Sequence, residues 1–268
     1  MTRRGLAVLF GCLLTGAAFV YAQNPFKQYR ETAEDYSNFP LPPDWQQPAE
    51  FVLARLKYPD IWRPRYGVDL YWTMDYPRGD RHLVEGLRRL TSMNVRSVEQ
   101  VTETDGTDDV YNWPFLYAVE VGMMDISDTD GEQLRDYLAR GGFLMVDDFH
   151  GEEEWNNFEY ALDKILPGHT VEDLVVGDSI FHTVSDVNEL IQIPSAQYIQ
   201  NGLTYEKGGI VPHFRAVRDK KGRIAVVICH NMDLGDAWEW ADYPQYDEKF
   251  SGLAFRIASN YVVYSMTH

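Results

Sequence analysis

The sequence predicts an α/β domain built on a mostly parallel sheet with helices on both faces. Three observations carry this. Short apolar runs of strand length recur from residue 51 onward. Segments with apolar residues at helical spacing lie between them, and Gly- or Pro-bearing turns separate the two kinds,. A helix stopped by Gly141-Gly142 then leads straight into the apolar strand 143–146. Alternating helices and strands provide crossover connections, which place parallel strands between helical layers.

Residues 51–57 alternate apolar and polar and read as the first strand; 67–73 is a second strand candidate. In 80–92, Leu83, Val84, Leu87 and Leu90 fall on one helical face, with Asp80 placed as N-cap,. Strands follow at 97–101 and 115–121. Ser127 caps a helix running through Arg140, with Leu134, Tyr137 and Leu138 facing inward,. Gly141-Gly142 ends that helix before the strand 143–146. Next come a helix near 155–165 and an irregular stretch to Gly209. A hairpin pairs 214–218 with 224–229 across Asp219-Lys220-Lys221-Gly222, and the last amphipathic helix spans 248–264,.

The first residues read as an export signal. Arg3 and Arg4 precede an apolar run from Gly5 to Val20, and Val20-Tyr21-Ala22 suits cleavage after Ala22,. That run is about 16 residues, short of the roughly 20 that span a bilayer. The expected organisation is therefore a signal peptide at 1–22, a Pro- and aromatic-rich arm at 23–50 and a domain at 51–268. The expected location is periplasmic or secreted, with no membrane insertion after cleavage. Tyr29, Tyr36, Phe39 and Trp45 suit the arm to packing on the domain or on a partner. Cleavage removes Cys12 and leaves Cys229 alone, so stability must come from packing. With 24 Lys and Arg against 41 Asp and Glu, the chain repels phosphate backbones and anionic lipid, which excludes nucleic acid as a partner,.

Candidate site residues gather just after strands, where open α/β sheets bind ligands. Asp147, Asp148 and His150 follow the strand 143–146 and can bind a metal, hold sugar hydroxyls or act as an acid–base pair,. Asn231, Asp233, Asp236 and Trp238 follow the hairpin's second strand. Asp75 and Tyr76 precede the helix at 80–92, and Tyr117 sits on the strand 115–121. Each also has a plain structural use as a cap, turn or core residue. Nucleophilic catalysis has little support: there is no Gly-x-Ser-x-Gly turn, and Cys229 and His230 point to opposite faces of one strand,. No cofactor is indicated. A divalent metal is chemically allowed, but no ligand spacing in the sequence supports one.

Several segments recur in one order: 51–58, Asp75-Tyr76-Pro77 with Asp80, 114–117, Tyr137-Leu138 through Gly141-Gly142-Phe143-Leu144 to Asp147-Asp148, Ile180-Phe181-His182, and 231–239. This set resembles the bacterial family catalogued as domain of unknown function 4159. The resemblance implies a class I glutamine amidotransferase-like fold, a three-layer sandwich, and no established activity. Amidotransferases of that fold carry a cysteine on a sharp strand–helix turn; here the matching segment is Val146-Asp147-Asp148-Phe149-His150. The expectation is a non-catalytic ligand-binding or scaffold module of the cell envelope, with an envelope protein or a small polar ligand as partner. The alternative is a hydrolase or other enzyme acting on a carbohydrate or related polar substrate through Asp147, Asp148 and His150, with a metal as optional aid.

Overall fold

A computed structural model describes residues 26–29 and 40–268. The expected signal peptide and arm residues 23–25 and 30–39 lie outside the described residues. From β1 (Ala54–Lys57) the chain passes through a helical turn α1 (Arg63–Tyr66) and helix α2 (Arg78–Leu90) to β2 (Gln100–Glu103). It continues through β3 (Phe115–Val119), α3 (Asp128–Ala139), β4 (Phe143–Asp147) and α4 (Gly151–Ile165). Then follow β5 (Val171–Asp173), α5 (Gln197–Asn201), the hairpin β6 (His213–Arg218) and β7 (Ile224–His230), α6 (Leu234–Glu239) and α7 (Glu248–Thr267).

The seven strands lie in the order β2-β1-β3-β4-β7-β6-β5. All neighbours from β2 to β7 are parallel; β6 runs antiparallel to both β7 and β5. The five parallel strands alone follow the doubly wound order 2-1-3-4-5, whose direction reverses between β1 and β3. Side chains alternate between two cores. Phe115, Tyr117, Phe143 and Met145 pack with Leu83 and Leu87 of α2, with Trp238 of α6 and with Ile257 and Tyr261 of α7. Leu116, Ala118, Leu144 and Val146 pack with Leu134 and Leu138 of α3 and with Phe158 and Leu162 of α4. The expected three layers follow from this period of two in buried strands.

Most element expectations hold with shifted ends. The helix after Ser127 has a full capping box, Ser127 and Asp130 each bonding the other's backbone N–H,. The hairpin turn closes through Asp219 N–H to Arg223 C=O at 2.8 Å. Three expectations are corrected. Residues 67–73 form no strand, because the Asp60 carboxylate accepts the N–H groups of Trp62 and Leu70 (2.9 and 2.8 Å) and folds the stretch into turns. Asp80 is not an N-cap: α2 starts at Arg78, and the Asp80 carboxylate receives Arg55 Nε at 2.9 Å inside the protein. The strand expected at 97–101 begins at Gln100, since the Arg96 guanidinium bonds the carbonyls of Val98 and Glu99 and holds the approach irregular. The described parts of the arm pack on the domain: Tyr29 against Trp72 (ring centroids 5.3 Å apart), Pro40 C=O on Arg81, and Asp44 on Arg88 at 2.6 Å.

Candidate functional site at the sheet's C-terminal edge

The strands β3, β4 and β7 all leave the sheet through a non-glycine residue in the left-handed region. These are Glu120 (φ 50°), Asp148 (φ 53°) and Asn231 (φ 63°). Asp75, in the loop before α2, shares the conformation (φ 60°). Left-handed backbone costs L-residues about 1–2 kcal/mol each, less for Asp and Asn. Four such residues at one sheet edge mark a place where geometry is held against local preference. Asp148 occupies the sharp turn between β4 and α4.

Beneath this edge, Asp147 is a structural tie. Fully buried at the end of β4, its Oδ2 accepts the N–H groups of Leu234 and Gly235 (2.9 and 3.0 Å) and the Tyr117 hydroxyl (3.1 Å). It thereby anchors the first turn of α6. Burial pushes its carboxyl up to about 7, opposed by these hydrogen bonds,.

Above it three carboxylates converge. Asp75, Asp148 and Asp233 each bring one oxygen within 4.8 Å of the other two, and Asp75 forms a second such group with Asp236 and Glu239. The first three come from separate elements: the loop before α2, the turn after β4, and the N-cap of α6. Asp233 Oδ1 accepts Asp236 N–H at 2.7 Å in that cap. Exposures of 3%, 8% and 3% put all three in the interior. Asp75 Oδ2 has no hydrogen-bond partner. It occupies space that any side chain at Gly235 would need, since a Cβ there would stand 2.1 Å from it. Burial, followed by repulsion from neighbouring carboxylates, raises the pKa of Asp75, Asp148 and Asp233 well above the usual range,. Among the described residues, no lysine or arginine forms an ion pair with any of the three. Arg55 and Lys207 are close enough to favour ionisation of Asp75 and Asp148, yet Arg55 is bonded to Asp80 and Lys207 to Glu154 (2.5 Å).

On the α4 side, two backbone donors are already taken. His150 N–H donates to Glu154 Oε2 at 2.5 Å and Gly151 N–H to Asn231 Oδ1 at 2.8 Å. The Lys207 carbonyl closes over Gly151, where a Cβ would lie 2.4 Å from its oxygen. These two N–H groups are therefore closed to an oxyanion or phosphate. Burial lowers the pKa of His150, and its Nε2 stands 3.2 Å from Asp148 Oδ1. The edge therefore presents acceptors, which suit cations and hydroxyl or amine donors.

Of the residues singled out from sequence, Asp75, Asp148, Asp233 and Asp236 come together, with His150 on Asp148. Asp147 and Tyr117 lie directly below as buried support. Asn231 acts through structure: its side chain bridges Gly151 N–H and Val211 C=O. Tyr76 turns to the opposite core and packs on Trp72 (5.6 Å). Trp238 is wholly buried against Tyr117 (5.4 Å) and presents no stacking platform. Sequence reasoning passed over Glu239, Glu120, Lys207 and Arg55. Glu239 follows Asp236 by three residues and so shares its helix face, a usable signal. Arg55, a charge inside an apolar strand, was another. Lys207 gave none, because its loop meets the site only through tertiary folding.

The family described as domain of unknown function (DUF4159) matches residues 52–266, and the chain belongs to that family. No curated protein matches the chain.

Proposed function

We propose that this chain is an exported, non-catalytic binding module that captures a cationic or donor-rich polar ligand at the C-terminal edge of its sheet. One observation carries the reading: three buried carboxylates from three elements converge with no lysine or arginine ion-paired to them among the described residues, while the His150 and Gly151 N–H groups beside them are already taken. We further read the domain as amidotransferase-like. The 2-1-3-4-5 parallel order supports this, as does the left-handed strand–helix turn at Asp148, the place where such folds carry a nucleophile,. Here that place holds a carboxylate. Cys229 lies buried within β7, its thiol pKa raised by burial, which speaks against a displaced thiolate,. The export signal supports a periplasmic or secreted setting.

The test is a thermal-shift panel of neutral sugars, organic polycations, divalent metals and small anions. Donor-rich or cationic compounds should stabilise the protein, anions should not, and Asp148→Ala should abolish the shift. Stabilisation by anions alone would overturn the reading. The Asp148–His150 contact favours one second reading, hydrolysis of a polar substrate with Asp148 and His150 as the acting groups,. It requires turnover that His150→Gln abolishes while ligand-induced stabilisation persists.

A further inference from the structure

Resting on the binding reading above and narrowing it, we propose that Asp75, Asp148 and Asp233 together hold one hard divalent cation. Three oxygens within 4.8 Å of one another fit ligands around a single ion. Oxygens this near one another fit around calcium, with oxygen distances of roughly 2.3–2.6 Å, or around magnesium, at roughly 2.0–2.1 Å. The observation independent of the cluster's acidity is Asp75 Oδ2. It is buried and has no hydrogen-bond partner among the described residues. A buried carboxylate oxygen without a donor is an uncompensated cost that a bound cation removes.

The supports of this oxygen are built rather than incidental. Arg55 Nη1 donates to the carbonyls of Trp72 (3.0 Å) and Met74 (2.9 Å), fixing the loop immediately before Asp75. Gly79 N–H donates to the Asp75 carbonyl at 2.7 Å. Gly235, lacking a Cβ, leaves the space in which Oδ2 lies. Asp233 is held by its capping role and Asp148 by the turn after β4. The donor set is carboxylate oxygen alone, which selects calcium, magnesium or manganese over thiolate-seeking metals. Calcium takes six to eight oxygens in flexible geometry, so water or ligand hydroxyls would complete its shell. A sugar or other polyhydroxy ligand could then bind through the ion.

Titration calorimetry and thermal melting of the EDTA-treated protein with calcium, magnesium and manganese chlorides test this. The expected result is one calcium, magnesium or manganese ion bound per chain, with a rise in melting temperature on adding that ion. Asp75→Asn and Asp148→Asn should each fold and weaken binding of that ion on the order of tenfold or more. Equal affinity for the ion in both variants and the parent would overturn the site. Silence toward all three metals, with spermidine still stabilising the parent but not Asp75→Asn, would overturn the metal and leave the binding reading standing. Silence toward metals, spermidine and neutral sugars alike would overturn both.

Discussion

Two groups of buried charge flank Tyr117, and they are assembled in opposite ways. In the first, Arg55 meets Asp80 at 2.9 Å and Arg81 meets Glu99 at 3.2 Å, cation against anion. The Arg55 guanidinium also bonds two loop carbonyls and lies 4.9 Å from the Tyr117 ring centre. In the second, Asp75, Asp148 and Asp233 face one another with no ion-paired lysine or arginine among the described residues. The same protein that matches charges so closely at α2 leaves them unmatched a few residues away. The contrast teaches that burial alone does not define a site; incompleteness does. The paired group holds the loop, and the unpaired group is what the loop presents.

The largest way to break this comparison is to unpair the first group. Arg55→Met leaves Asp80 buried and uncompensated, with an expected loss of about 3–5 kcal/mol in urea unfolding. Arg55→Met with Asp80→Leu should recover most of that loss, because replacing a buried pair outright costs little. Next in size is Asp147→Ala. It removes the acceptor for Leu234, Gly235 and Tyr117, so stability should fall by about 2–3 kcal/mol,. Hydrogen exchange of the α6 amides should rise in the same variant.

The smallest effect concerns His230, whose Nε2–H donates to the Gly151 carbonyl at 3.0 Å and whose ring stacks near Phe149 and His213. Burial lowers its pKa from the ordinary 6.5 to about 4. Between those values the unfolded chain binds the extra proton and the folded one does not. Its contribution is therefore complete above about pH 6.5 and is lost as pH falls toward 4. Melting temperatures of the parent and His230→Gln, compared from pH 8 to pH 4, should differ in slope only in that window.

Much of the frame was legible because it depends on local pattern. The Ser127 cap, the Gly141-Gly142 stop, the hairpin across Asp219–Gly222 and the strand alternation each announce themselves within a few residues. The misread segments were decided by distant partners. Asp60 folded 67–73 into turns, and Arg55 drew Asp80 out of a capping role into the interior. Asp148 and Asp233 were legible as positions after strands, whereas Asp75 was reached through an expected strand at 67–73 that the structure replaces with turns. Their convergence was not legible, since the loop before α2 reaches β4 and α6 only in three dimensions. Aromatic residues misled most: Tyr76, Tyr117 and Trp238 stand among the ligand-binding candidates in sequence and are core in the fold.

The claim that the acidic group is incomplete by itself is tested most directly on Asp75. Asn has the same shape and tolerates φ 60° at least as well, so Asp75→Asn changes charge and little else,. Urea unfolding in EDTA at pH 8 should show the variant more stable than the parent by on the order of 1 kcal/mol, the relief of one mutually repelling buried carboxylate. A variant less stable than the parent under those conditions would mean that Asp75 is already compensated within the fold, and would contradict the account.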